Sequence, residues 1–398
     1  MKKYFLLTTL FTALFCIESF AQWVSQTSGT IQPLNSIYAT STANVFTVGA
    51  TGTGRKTSNG GTLWSTMSLG VTTKQNSIRF ISSTTGFTAG GFQDILKTIN
   101  SGTSWTNIGG GMTDLYDCYF TSSSAGWVAG DIEVGYGFLY NPFTFNLIQI
   151  PANANKVLRG IYFANSTTGW VVGDGGLIIK TINSGTAWAQ QTSGATNQLN
   201  KVMFIDANNG VAVGNGGKIL QTINGGTNWT SPTSGTTQNL NAVYYADALN
   251  VWACGDNGII LKSSDGGITW ATETSGTIEN LNAIHGIGIT DIWACGNNGK
   301  VIYRSGIISV FENQLQTNIS VSPNPFSTQT TVQITNYDIR ITKYELEMYN
   351  VFGQQVKSLV ISHSPFVIER SGLPSGLYFI RLTEENKIYA DKLVITDN

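Results

Sequence analysis

The chain has 398 residues, a net charge of -1 and only 11% charged residues, under half the ~25% of an average globular protein. It is long enough for more than one core. No Lys/Arg-rich run appears, so the basic footprint that nucleic acid phosphates require is missing. Ser, Thr, Asn and Gly carry the polarity, and apolar residues recur at regular spacing, a pattern that disordered chains lack.

The N-terminus has the parts of a secretory signal. Lys2 and Lys3 precede a mostly apolar segment, Tyr4 to Ile17, and Ser19-Phe20-Ala21 offers small residues at the cleavage-determining positions. Residues 1–21 are therefore expected to be removed, with the mature chain starting near Gln22. The apolar segment is shorter than the ~20 residues needed to span a bilayer. No other stretch is long enough, so no transmembrane anchor is expected in the mature chain. Cys16 follows the bulky Phe15, which argues against a lipoprotein.

Trp23, Trp64, Trp105, Trp188, Trp229 and Trp270 follow one another at gaps of 41, 41, 83, 41 and 41 residues. The long gap is one repeat whose Trp is lost. A period of this length signals a solenoid, a propeller or an array. In the repeat from Trp229, Leu240 to Tyr245, Val251 to Cys254 and Ile259 to Lys262 read as strands. Gly255-Asp256-Asn257-Gly258 reads as a hairpin turn. Ser263-Ser264-Asp265-Gly266-Gly267-Ile268-Thr269-Trp270 then turns the chain into the next Trp strand. Four short strands per repeat make a propeller blade.

First strands begin at Leu34, Asn76, Leu115, Val157, Leu199, Leu240 and Leu281. That makes seven blades, spanning residues 22–306. The seventh lacks a Trp strand of its own, and the segment 23–29 is a Trp strand with no blade before it. Pairing the two closes the ring and covers the open edges. An open solenoid would leave both ends unmatched.

The third repeat is irregular. Its turn has become Tyr140 to Asn146, and Asp114, Asp117, Asp131 and Glu133 lie close together in sequence. Two carboxylates about 5 to 10 Å apart are what a glycosidase needs, so these four acids are the candidate catalytic group. The turns after the second strands carry Asp131, Asp174, Asn215, Asp256 and Asn297 in equivalent places. In a closed ring they gather on one face with the Thr-Ser-Gly loops, where they are candidates for ligand binding. Asp and Asn are also what tight turns use for their own geometry. Trp127, Trp170, Trp252 and Trp293 fall inside strands and are expected to pack between blades.

Without the signal, Cys118, Cys254 and Cys295 remain, an odd number that gives no complete disulfide framework. Cys254 and Cys295 sit at the same place in successive repeats. There they would lie on the order of 10 Å apart, too far for a bridge, so buried free thiols are expected. His285 and His363 are the only histidines, so no metal site and no cofactor are expected.

Residues 307–318 read as a linker. From 319 to 398, Ser322-Pro323-Asn324-Pro325-Phe326 and a series of short alternating strands fit a small β-sandwich of immunoglobulin type. The fold class is thus all-β: a seven-bladed β-propeller followed by a sandwich.

Ser263, Asp265, Gly267, Thr269 and Trp270 resemble the Asp-box, or bacterial neuraminidase repeat, and the copies at Asn59, Asn100, Asn183 and Asn224 match in part. The motif marks a fold rather than an activity. The repeat length together with Gly169-Trp170-Val171-Val172-Gly173-Asp174-Gly175-Gly176 resembles the photosystem II stability/assembly factor-like propellers. That resemblance implies a protein-binding scaffold. Family members that assist photosystems use an Arg patch, whereas Arg55, Arg79, Arg159 and Arg304 are scattered here. The photosynthetic role is therefore not carried over.

Pro323-Asn324-Pro325, Gly353-Gln354-Gln355-Val356, Leu373 to Tyr378 and Lys392 to Ile395 resemble, in order, the type A sorting domain of the type IX secretion system found in Bacteroidetes. This implies the secretion machinery as a partner, and release or attachment at the outer-membrane surface. The expected function is a secreted, non-catalytic binding propeller for a protein or glycan. The alternative is a secreted Asp-box glycoside hydrolase. A sialidase resemblance fails for want of an Arg triad.

Overall fold

A computed structural model describes residues 23–109, 113–131, 137–144, 146–149, 156–305, 319–334, 344–350, 355–361, 364–384 and 387–397. The expected signal peptide, Glu133, the linker and Gly353-Gln354 lie outside them. The chain divides into two compact units, Met1–Ile308 and Ser309–Asn398.

Seven small antiparallel sheets build the first unit. Each begins with an inner strand: Leu34–Ala39, Gln75–Phe80, Leu115–Ser122, Leu158–Phe163, Leu199–Phe204, Leu240–Tyr245 and Leu281–Ile287. Adjacent inner strands lie side by side in chain order, and the seventh neighbours the first. The second strands are buried along their length, as in Gly169–Gly173 and Val251–Gly255, because each is covered by a blade on either side. Trp170, Trp252 and Trp293 are fully buried there. Trp170 stacks on Phe204 of the next blade with ring centres 3.5 Å apart. Cys118, Cys254 and Cys295 are free among the described residues and buried.

The seventh blade is made from both ends of the propeller. Trp23–Gln26 pairs antiparallel with Val301–Ser305, in the register Trp23 to Arg304 and Gln26 to Val301. Glu273, in the outer strand of blade six, fastens this junction. Its carboxylate accepts from the indole N–H groups of Trp23 at 3.1 Å and Trp252 at 3.2 Å, and it forms an ion pair with Arg304 at 3.3 Å.

Turns such as Ser263 to Trp270 join third to outer strands. Ser263 Oγ accepts from the buried Gly267 N–H at 2.8 Å. Asp265 Oδ1 accepts from the amides of Ile268 and Thr269 at 3.1 and 2.9 Å. Gly266 and Gly267 adopt positive φ of 74° and 95°, a region glycine enters without strain. Asn59, Asn100, Asn183 and Asn224 accept from amides in the same way. In blade three Asn141 Oδ1 keeps a shorter version, accepting from Phe143 and Thr144 N–H.

The second unit stacks a three-stranded sheet (Ile319–Ser322, Gln329–Ile334, Phe366–Glu369) with a four-stranded sheet (Gln355–Ile361, Tyr344–Asn350, Gly376–Glu384, Lys387–Ile395). Phe326, Val332, Leu346, Met348, Ile368 and Ile380 are among its core residues.

The Thr269 hydroxyl and amide hold the Asp265 carboxyl down at about 2. A depressed carboxylate contributes stability that is complete above the ordinary Asp value of ~3.9 and fades as pH falls toward the folded value. Asp265→Asn, the residue used in four sister turns, should remove this component. The stability advantage of the wild type over the variant in urea unfolding is expected to shrink between pH 5 and pH 2. A constant difference would contradict the assignment.

Candidate functional site: the central channel and its mouth

The seven inner strands surround a cavity of about 320 Å³ that takes lining residues from every blade. The second residue of each inner strand stands at its mouth. In five blades this residue is Asn, and its side-chain amide donates to a backbone carbonyl of the next blade. Asn35 reaches Gln75 O at 3.0 Å and Asn76 reaches Leu115 O at 2.7 Å. Asn200, Asn241 and Asn282 reach Leu240, Leu281 and Leu34 O at 2.9, 3.0 and 2.9 Å. These amides are spent on holding the ring.

Blades three and four break the pattern with Tyr116 and Arg159. The Arg159 guanidinium carbon sits 5.3 Å from the centre of the Tyr116 ring, a cation–π arrangement. Arg159 Nε also donates to Asp174 Oδ1 at 2.6 Å. Tyr116 Oη lies 3.5 Å from Asp131 Oδ2, the limit of hydrogen bonding. Burial and the neighbouring Asp114 raise the Asp131 carboxyl above its ordinary value. Burial, then Asp131, raise the Tyr116 phenol. Asp114 itself pairs with Lys74 at 2.6 Å on the exposed rim.

One level down, Asp117 is only 2% exposed. It takes the place of the missing Asn links. Its carboxylate accepts from Ser77 Oγ at 2.8 Å, from Ile161 N–H at 2.9 Å and from Lys201 Nζ at 2.8 Å. Blade three is thereby tied to blades two, four and five.

Residues 141–233 match the family model of the photosynthesis system II assembly factor YCF48, and residues 320–396 match the secretion system C-terminal sorting domain. One match thus falls within the propeller and the other covers the C-terminal unit. Among solved structures it is similar to YCF48 from Cyanidioschyzon merolae, at 16% identity and a TM-score of 0.58, covering 72% of this chain and 99% of that one. It is also similar to YCF48 bound to D1 peptide, at 20% identity and a TM-score of 0.59, covering 72% and 97%. The WD40 propeller of Doa1 is comparable, at 13% identity and a TM-score of 0.58, covering 72% and 98%. No curated protein matches in sequence. These likenesses establish the fold. The sorting domain makes this a secreted or cell-surface protein. Among the described residues, no helix is long and apolar enough to cross a membrane.

On the propeller, the five candidate residues in the second-strand turns occupy equivalent places. Each faces the second residue of its own inner strand: Asn200 meets Asn215 at 2.9 Å, Asn241 meets Asp256 at 3.0 Å and Asn282 meets Asn297 at 3.1 Å. Asp174 and Asp131 face Arg159 and Tyr116 in the same way. The Thr-Ser-Gly loops share this face: Ser28 Oγ donates to Gly299 O at 2.6 Å. At Gly299, with φ of 66°, a Cβ would fall 1.8 Å from Thr30 O.

Of the acids grouped by sequence proximity, Asp114 and Asp131 remain neighbours at the rim, where the Asp131 N–H donates to Asp114 O at 3.2 Å, whereas Asp117 lies apart in the wall. Asp117 is a saturated buried tie, Asp114 a rim ion pair, and Asp131 a shielded carboxyl beside Tyr116. Tyr116, Arg159, Lys201 and the Asn ring escaped the sequence reading. Their signal was present, since Asn35 and Asn76, and Asn200, Asn241 and Asn282, repeat at the same 41-residue spacing as the Trp residues.

Asp117→Ala would leave the Lys201 ammonium and the Ile161 N–H without their partner. Half-exposed Lys201 recovers part of its loss through solvent, so the expected cost is about 2–4 kcal/mol in urea unfolding. Asp114→Ala removes an exposed pair and should cost under about 1 kcal/mol. Equal costs would contradict these assignments.

Proposed function

We propose that this protein is a non-catalytic binding module, exported by the type IX system, whose ligand docks at the channel mouth over blades three and four. The observation that carries the reading is the break in the Asn ring. Five blades spend the mouth position on holding the scaffold. Tyr116 and Arg159 present an aromatic face and a guanidinium at that position, edged by Asp131, Asp174 and Asp114. Tyr and Arg are the residue types that concentrate binding energy at interfaces. Asymmetry in an otherwise repeated scaffold is where ligand specificity has room to arise.

A peptide segment of a partner protein is the favoured ligand class. Alternating aromatic, cationic and anionic groups suit the mixed chemistry of a peptide, and a related propeller is recorded bound to a peptide. A hydrolase at this mouth would need two free carboxylates across a cleft. Asp117 is committed to three partners and Asp114 to Lys74, which favours binding over hydrolysis.

The test restores the repeat. Tyr116→Asn with Arg159→Asn places in blades three and four the residue that the other five tolerate, so folding should survive. The full mature chain is screened against arrays of peptides and of glycans. Ligands found for the wild type are expected to lose at least tenfold in affinity with the double variant, about 1.4 kcal/mol or more. Undiminished binding would overturn the reading, as would turnover of an arrayed glycan.

A further inference from the structure

Among the described residues, three cations line the channel, Arg79, Arg159 and Lys201, against one acid, Asp117. Arg159 is paired with Asp174 and Lys201 with Asp117. Among the described residues Arg79 has no acidic partner. It projects from the fifth position of the blade-two inner strand, below the Asn ring. Its guanidinium carbon lies 3.5 Å from the centre of the Tyr119 ring, and 5.9 and 5.8 Å from those of Tyr38 and Tyr162. Arg79 Nε is sealed from solvent and has no hydrogen-bond partner.

Aromatic faces attract the charge of a guanidinium, yet they do not satisfy its N–H edges. Those donors lie in the guanidinium plane, in a fixed fork that matches a carboxylate. A buried polar group without an acceptor is costly. The rest of the wall offers little acceptor capacity. Met203 stands at the equivalent position of blade five, and His285, at that of blade seven, stacks on Tyr38 with ring centres 4.0 Å apart. His285 Nδ1 already accepts from Ala39 N–H at 3.2 Å. Burial, then the positive charges of Arg79 and Lys201, push His285 down to about 3, so it is neutral at physiological pH. The lumen is a shielded space with one uncompensated cation at its aromatic floor.

We propose that the channel receives a carboxylate, which enters past the Asn ring and is held by the free N–H edge of Arg79 between the tyrosine rings. The volume of about 320 Å³ lies at the small end of ligand pockets and suits a chain terminus or a small organic acid. This deepens the binding-module reading and rests on it, because it names the group that the channel takes while the mouth holds the remainder.

The experiment is calorimetric titration of the full mature chain with trialanine, with trialanine C-terminal amide and with acetate. The expected result is saturable binding of a free carboxylate, with the amide at least tenfold weaker than the acid. Arg79→Gln, which keeps size and a donor but removes the charge, should lose at least tenfold for the acid. Binding of trialanine without acetate identifies a peptide terminus as the source. Acetate binding on its own identifies a small free acid. Both outcomes support the proposal. Absence of saturable binding by either acid overturns it, as does equal affinity for acid and amide, or wild-type affinity in Arg79→Gln. If Arg79→Gln fails to fold, Arg79→Lys serves, since it keeps the charge but not the fork. It should bind several-fold more weakly, and unchanged affinity overturns the proposal. Tyr116 and Arg159 are intact in these variants. Mouth binding that persists with no carboxylate response therefore sinks this inference alone.

Discussion

The pairing of Trp23–Gln26 with Val301–Ser305 is the constraint on which the propeller depends. Blades are wedges that bury both faces against neighbours, so none has a complete core alone. Without the N-terminal strand, blade seven would end in an open edge and blades one and seven would have no covalent reason to meet. Joining the two ends of the chain within one sheet converts a linear array into a ring. Glu273 reinforces the junction from blade six by gathering Trp23, Trp252 and Arg304. Once closed, the ring sets the inner strands around a common axis. A residue at one position of the repeat then becomes a residue at one height of the channel.

That translation from repeat position to channel height accounts for the site. Asn at the second position of the inner strand serves the ring by bridging to the next blade. Where Tyr116 and Arg159 replace it, the bridge is lost, and Asp117 supplies a substitute from a deeper level. The irregular blade has therefore not drifted freely. It exchanges a surface amide link for a buried carboxylate link, and the mouth gains an aromatic ring and a guanidinium. Arg79 sits lower in the same channel and, among the described residues, lacks the acidic partner that Arg159 and Lys201 each have.

Much of the architecture was legible in the sequence because it is periodic. Trp spacing gives the repeat, turn residues locate the hairpins, and the unmatched Trp23 strand points to blade seven. The site was less legible because it arises between repeats. Asp114 and Asp117 are three residues apart and look like one cluster. A bulge between Leu115 and Asp117 and the direction of the strand send one to the rim and the other into the wall. The Asn ring is written at the same spacing as the Trp residues, yet its meaning lies in contacts about 40 residues away. Asp131, Asp174, Asn215, Asp256 and Asn297 share one place in the repeat, but their partners could be named only once inner and second strands were paired.

Amide hydrogen exchange on the chain from Trp23 onward, compared with the same chain lacking residues 23–29, tests ring closure most directly. The account predicts that Val301–Ser305 loses protection and that exchange rises across the inner strands of blades one and seven. Unchanged protection of Val301–Ser305 in the shortened chain would contradict it.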